Sequence, residues 1–167
     1  MHLYNDSISK IAEGDWQQVI RKAKLDDVRD IYKLIEIYAG KGEMLHRPLT
    51  DIYDNLRDFY VYEENGAIAG ACALHICWED MGEIRSLAVS EGASGKGVGS
   101  MLVNACLDEA RSLGIPKVFA LTYKTGFFEK LGFKPVGKEV LPHKVWGECV
   151  RCFKFPNCDE NAVMIEL

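Results

Sequence analysis

The chain has 167 residues, enough for one globular domain and cramped for two, and its 48% hydrophobic and 27% charged residues are those of an ordinary folded protein. With 20 Lys+Arg against 25 Asp+Glu the net charge is −5 and no basic cluster stands out, so nonspecific nucleic-acid binding lacks its electrostatic basis. No apolar run approaches the roughly 18–20 residues of a membrane span, and the start MHLYNDSISK is not a basic region followed by an apolar stretch. The expectation is a soluble, unexported, cytoplasmic protein with neither nucleic acid nor membrane as a partner.

Residues 1–17 show no period and read as an N-terminal extension, leaving 18–167 as a single domain. Val19 to Ala23 predict a short strand. Leu25, Val28, Ile31, Ile35 and Tyr38 then recur at helical spacing, with Asp26 or Asp27 as cap and Gly40 and Gly42 as stop. Past Arg47-Pro48, the spacing of Ile52, Leu56 and Phe59 predicts a second helix. From Phe59 to Val89 three strand-like runs are separated by Asn65-Gly66 and by Glu79 to Gly82, which predicts an antiparallel meander, because Asn-Gly accepts the positive φ of a type I′ turn. The aromatics at 59–62 read as strand surface.

After Val89 comes the glycine-rich SEGASGKGVGS, then a helical stripe of Val98, Met101, Leu102, Ala105, Cys106 and Leu113, ended by Gly114 and Pro116. KVFALT predicts another strand. A short helix over about 126–131 closes on Gly132, and Phe133 opens a further strand. The predicted order is β-α-α-β-β-β-α-β-α-β, and from about residue 141 the chain continues as a cysteine-bearing segment that reads as a tail outside this core.

A strand, a loop with Gly92, Gly95, Gly97 and Gly99, and an immediate helix make a place for an anion. Glycine lets the backbone come close, and the N–H groups of a helix start point at the guest. By itself the glycine count fits a bland tight turn equally well. It is not a P-loop, since no Gly-Lys-Ser/Thr closes it.

Three segments together resemble the GNAT superfamily of acyl-CoA-dependent N-acetyltransferases: GEIRSLAV before the loop, SGKGVGSMLV as pyrophosphate loop and helix, and FFEKLGF beyond. The resemblance covers roughly residues 18–137. It implies an α+β fold whose mixed, mostly antiparallel sheet is splayed at the acetyl-CoA site and flanked by helices. It also implies acetyl-CoA as cosubstrate, with Leu87, Ala88 and Val89 along the pantetheine arm and Gly95, Lys96, Gly97, Val98, Gly99 and Ser100 around the pyrophosphate. Phe128 would flank the arm or thioester. Ser94 stands where the family commonly has Arg or Gln.

Amide formation needs a neutral amine and a stabilised thiolate. Glu83 matches the place where several members keep a general base, and burial of a carboxylate raises its pKa toward neutrality. Many relatives have a tyrosine acid where this chain has Phe128, which cannot donate a proton; Tyr123 is the substitute, and water or no acid at all are the alternatives. A main-chain N–H near Leu87 would meet the oxyanion.

Within the superfamily GEIRSLAV, ARSLGIPKVFALT and VLPHKVW look like the acetyltransferase domain of N-acetylglutamate synthases, which implies a free amino acid, L-glutamate, as acceptor and a place in arginine biosynthesis. Arg47 matches a carboxylate-binding arginine of those enzymes, and guanidinium suits bidentate pairing. Leu45, Ser86 and Thr122 would complete the pocket, with Arg85 and Lys144 as further cations. Those synthases usually carry a kinase-like domain first, and only about 17 residues precede the domain here. The rival readings are a GNAT enzyme for a polyamine, a peptide N-terminus or a drug, and a noncatalytic acyl-CoA sensor. A homodimer is the oligomer to consider.

Of six cysteines, Cys72, Cys77 and Cys106 fall in apolar runs and read as small core residues. Cys149, Cys152 and Cys158 form C-x2-C-x5-C, short of a four-ligand zinc signature unless His143 or Asp159 completes it. A structural zinc, reduced thiols and a disulfide stay open. His75 reads as a satisfied, partly buried imidazole, and Trp16, Trp78 and Trp146 as packing residues.

Overall fold

The computed structural model describes residues 18–141, 146–147 and 149–167. Among these, strand β1 (Gln18–Lys22) leads through a 3-10 turn into helix α1 (Val28–Gly40), and helix α2 (Leu49–Asp54) into strand β2 (Phe59–Glu64). Strands β3 (Ala67–Trp78) and β4 (Met81–Val89) follow, then helix α3 (Val98–Ser112), strand β5 (Lys117–Thr122), helix α4 (Thr125–Glu129), and strands β6 (Lys134–Val136) and β7 (Asn161–Glu166). The sheet runs β1-β2-β3-β4-β5-β7-β6. Only β4 and β5 pair parallel, and the other five pairings are antiparallel. No helix among the described residues is long and apolar enough to cross a membrane.

The predicted element order holds, with β7 added. Asn65 and Gly66 both take positive φ, 55° and 76°, as the type I′ turn requires, and Gly132 at φ 93° ends the short helix. β7 inserts between β5 and β6, so the C-terminal segment completes the sheet and is no tail outside the core. Its residues Ala162 and Val163 pack into cores on opposite faces, so both faces are covered and the strand shows no polar-apolar alternation.

The sheet separates two main cores. On one face α3 lays Val98, Leu102, Val103, Cys106 and Ala110 against Cys72, Leu74, Ile84, Val118 and Ala120. On the other, α1 and α2 place Val28, Ile31, Leu34, Ile35 and Ile52 against Phe59, Val61, Ala71, Ala73 and Ala88. Coverage on both sides explains two departures from expectation. Phe59 and Tyr62 are buried where a strand surface was expected, and Phe59 is not helical: α2 stops at Asp54, where the Asn55 side chain donates to the Asp51 carbonyl at 2.8 Å. Met101 and Leu113 of the expected α3 stripe are exposed, as is Trp78 at 61%. Cys72, Cys77 and Cys106 are buried as expected, with Cys72 and Cys106 Sγ atoms 3.8 Å apart. That contact and full burial push the Cys72 thiol well above its ordinary value, which leaves it chemically quiet.

The entry into α1 is fixed by charge. Asp27 accepts the Lys24 backbone N–H at 2.7 Å and receives two guanidinium nitrogens of Arg21, at 2.7 and 3.0 Å; Arg21 also reaches Glu63 at 2.7 Å. These bonds join β1, β2 and α1. The Arg21 guanidinium holds the Asp27 carboxyl below the usual carboxylate range, against the opposing pull of burial. A carboxyl with a depressed folded-state pKa contributes stability above its unfolded value near pH 4, and loses it as pH falls further. Asp27→Asn, which retains a cap acceptor and removes the charge, should cost about 1.5–3 kcal/mol at pH 7. In urea unfolding, the gap between wild type and variant should shrink below about pH 4; a gap that does not change with pH would refute the charge assignment.

Candidate active site

β4 and β5 pair only at Met81↔Lys117, Gly82↔Val118 and Glu83↔Phe119, although β4 continues to Val89. Beyond Glu83 the two strands part, and β5 spends its other edge entirely on β7, from Lys117↔Glu166 to Thr122↔Asn161. A bulge sharpens the divergence. Ala71 pairs Ala88 and Ala73 pairs Arg85, so Ser86 and Leu87 together oppose Cys72, with Ser86 at φ 54°. The extra residue reverses the alternation: Ile84 faces α3, and so do Leu87 and Val89, while Ala88 faces α1. The open edge of β4 past Glu83 offers main-chain groups to an extended, amide-bearing guest, as a sheet edge does to another strand.

The split widens into a cleft of about 930 Å³. At one end lies the glycine loop, where Gly95 and Gly97 take φ 76° and 81° and Gly97 caps α3. A Cβ at either would meet nothing within 4 Å, so these glycines serve the backbone turn and leave space above it. The first-turn N–H groups of α3 have no intrahelical acceptor and aim into that space. Gly99 has a different reason: its missing side chain admits the Phe127 ring, whose nearest atom would lie 3.3 Å from a Cβ. Phe128 stacks edge-on with Phe127 and Phe133, at 5.1 Å each, and lines the cleft. The loop, the α3 terminus and the open strand edge are what a pyrophosphate with a long amide-bearing arm requires.

Glu83 stands where the strands part. It is buried, 9% exposed, with Cys77 Sγ 3.8 Å and the Arg85 guanidinium 3.9 Å from its carboxylate. Arg85 and Arg47 both line the cleft and are themselves mostly buried. Arg47, two residues before α2, gives one N–H to Asp51 at 3.1 Å, one of the five donors it carries. Leu45, Ser86, Thr122 and Tyr123 line the cleft as well. The Tyr123 hydroxyl donates to Asp159 at 2.6 Å and meets the Lys154 ammonium, so it is committed to the C-terminal segment. Tyr38 donates from its hydroxyl to the Val89 carbonyl and thereby pins the end of β4 to α1.

Two expected site residues stand apart from the cleft. Lys96 does not line the cleft; its ammonium lies 3.9 Å from Glu64 of β2. The Ala88 side chain is in the core under α1 and leaves only its main chain for a ligand. Lys144 and His143 lie outside the described residues. The three late cysteines line the cleft, and the described residues hold no group of three His, Cys, Asp or Glu side chains able to bind a metal. No disulfide joins them. Of the three open states of these cysteines, the described residues show the free thiols, and His143, one candidate fourth ligand for zinc, lies outside them. His75 meets expectation, with Nδ1 2.7 Å from Asp58.

Tyr38, Glu43, Trp146, Phe155 and Glu160 also line the cleft, and no local pattern marks them as site residues. Tyr38 and Glu43 come from the end of α1 and the segment after it, and Trp146, Phe155 and Glu160 from the C-terminal segment that closes over the split. Burial pushes the Glu160 carboxyl above its ordinary range, against the pull of Lys154 and Lys138.

Residues 25–133 match the Acetyltransferase (GNAT) family. An uncharacterized N-acetyltransferase of Chlorobaculum tepidum is 39% identical over 145 residues, 87% of this chain and 94% of that protein. The amino-acid acetyltransferase of Mycobacterium tuberculosis is 36% identical over 142 residues, 83% of this chain and 81% of that one. Rv2747 of Mycobacterium tuberculosis, crystallised with CoA and NLQ, aligns with a TM-score of 0.79 at 32% identity, over 89% of this chain and 99% of that one. The N-acetylglutamate synthase of Neisseria gonorrhoeae, complexed with coenzyme A and N-acetyl-glutamate, aligns at 0.83 and 28% identity, over 92% of this chain but 36% of that longer one. The seven-stranded sheet split beside a glycine loop, and the match across most of its length, place this chain in the GNAT family of acetyltransferases, as an acyl-transferring enzyme.

Proposed function

We propose that this enzyme transfers the acetyl group of acetyl-CoA to the α-amino group of an amino acid, with L-glutamate as acceptor, by direct attack in a ternary complex. The observation that carries this reading is the placement of a buried carboxylate, Glu83, at the floor of the split, with Arg47 and Arg85 lining the same cleft. A polyamine would want carboxylates where these guanidinium groups stand. An acidic amino acid wants cations for its carboxylates and a base for its ammonium. The names of the relatives and the N-acetyl-glutamate bound by the gonococcal synthase support the same acceptor class. A place in arginine biosynthesis and a cytoplasmic location belong to this reading.

Each residue then has a task. The backbone from Gly95 to Ser100 and the α3 terminus bind the pyrophosphate, and the open edge of β4 at Leu87 takes up the pantetheine amides. Arg47 and Arg85 orient the amino acid through its carboxylates. Glu83, directly or through water, removes the proton from the ammonium so that the nitrogen lone pair can attack the thioester carbon. A β4 N–H near Leu87 meets the charge on the carbonyl oxygen. As the C–S bond breaks, the nitrogen gives its second proton to water and the thiolate takes one from water, because Phe128 has none to give and the Tyr123 hydroxyl is held by Asp159 and Lys154.

Release of free CoA, followed across a panel of amino acids and amines, should rank acidic amino acids first; turnover confined to polyamines or peptides would overturn the acceptor class. Glu83→Gln should lower kcat by about a hundredfold or more while CoA still binds, as loss of a positioned base does. In Arg47→Ala the KM for the acidic amino acid should rise about tenfold or more, the worth of one charge-assisted hydrogen bond, and the KM for acetyl-CoA should hold. Unchanged glutamate kinetics in that variant would remove Arg47 from the acceptor site.

A further inference from the structure

Lys154 belongs to no strand or helix, yet it touches three separate parts of the chain. Its ammonium donates to the Gly42 carbonyl at 3.1 Å, meets the Tyr123 hydroxyl and lies 4.2 Å from the centre of the Tyr123 ring. It stands 4.0 Å from Asp159, which also accepts the Tyr123 hydroxyl. A surface lysine normally keeps its head in water and its rotamers free. The Lys154 side chain is only 18% exposed and is held by all these contacts at once. A second tie runs parallel, from Lys124 to Glu43 at 3.9 Å.

The parts it joins are walls of the cleft. Gly42 opens the segment between α1 and α2 whose Glu43, Met44, Leu45 and Arg47 line it, and Cys152 and Phe155 line it from either side of Lys154. Both walls lie on the sheet face opposite α3: Leu141 and Cys149 pack with Phe119 and Met81, whereas α3 packs on Val118 and Ala120. The glycine loop leads into α3 on the other side. The clip therefore spans the acceptor side of the split, away from the pyrophosphate end.

We propose that Lys154 is a positioning residue that sets acceptor specificity: it clips the C-terminal segment to the α1–α2 segment and to the end of β5, holding the Arg47 wall where a free amino acid fits and longer amines do not. The proposal rests on the amino-acid acetylation reading. The clip uses one cation and three kinds of acceptor, a carbonyl, a hydroxyl with its ring, and a carboxylate, so loss of the ammonium removes the direct link between the two walls and leaves only the Lys124–Glu43 pair and the Tyr123–Asp159 bond, each to the end of β5.

Lys154→Met keeps most of the apolar stem and removes the charge. It should raise the KM for the acceptor amino acid about tenfold or more, leave the KM for acetyl-CoA and the melting temperature near wild type, and lower the preference for the free amino acid over its dipeptide. Lys154→Arg, which restores a cation of similar reach, should recover most of that preference. Peptide-resolved alkylation by iodoacetamide gives a readout independent of turnover: Cys152 and Cys158 are half-buried in the clipped segment and should react faster in Lys154→Met. Faster alkylation with unchanged acceptor KM and selectivity overturns the specificity role, and unchanged alkylation overturns the clip itself. Wild-type protein inactive on every amino acid would instead overturn the proposed function; the alkylation rates then judge the clip alone, acceleration supporting it and equal rates refuting it.

Discussion

The hydrogen-bond partnership of β5 is the constraint on which the rest of the molecule turns. β5 pairs with β4 over three residues and with β7 over its whole length, so the sheet is continuous at one end and open at the other. β4 cannot follow β5, because its own pairing with β3 carries it to Val89 through a bulge that adds a residue at Ser86 and Leu87. The bulge lets Leu87 and Val89 pack toward α3 and Ala88 toward α1, each into a core that accepts it. A cleft is left where the strands part, and Glu83 is the last residue of β4 still paired with β5. The floor carboxylate, the open strand edge and the helix terminus thus share one cause.

The charge of the chain bears on its ligands only through this geometry. A net charge of −5 does not favour a polyanion. Main-chain N–H groups at the start of α3 supply a positive field without any side chain, and Lys96 beside them turns to Glu64 instead. Cations are spent at the other end of the cleft. Arg47 and Arg85 are mostly buried there beside Asp51 and Glu83. Carboxylate neighbours make their burial tolerable, since a buried charge without a partner is costly.

The C-terminal segment works twice. As β7 it takes one edge of β5 and so closes the sheet toward β6. On its way there it lays cysteines, Trp146 and Phe155 along the cleft and sends Lys154 across to Gly42. Its three cysteines wall the cleft, with Lys138 tying the Cys158 carbonyl at 3.0 Å.

Local chemistry was readable wherever one segment decides its own shape. The Asn65-Gly66 turn, the positive-φ glycines before α3 and the Gly132 cap follow from residue type and short-range pattern, and with the motif order they point to the fold, whereas the burial of Glu83 depends on the strands packed around it. What the sequence could not determine depends on partners distant along the chain. β7 is buried on both faces and loses its alternation, the Ser86 bulge answers to two cores at once, and Lys154 gains meaning only beside Gly42 and Tyr123, which lie 112 and 31 residues away. Sequence by itself determined the glycine loop before α3, because glycine φ is a local property, and it marked Glu83 only through the resemblance that the motif order carries. Tertiary structure alone decided the walls of the cleft, because the segment between α1 and α2 and the segment before β7 lie far apart in the chain and meet only in the fold.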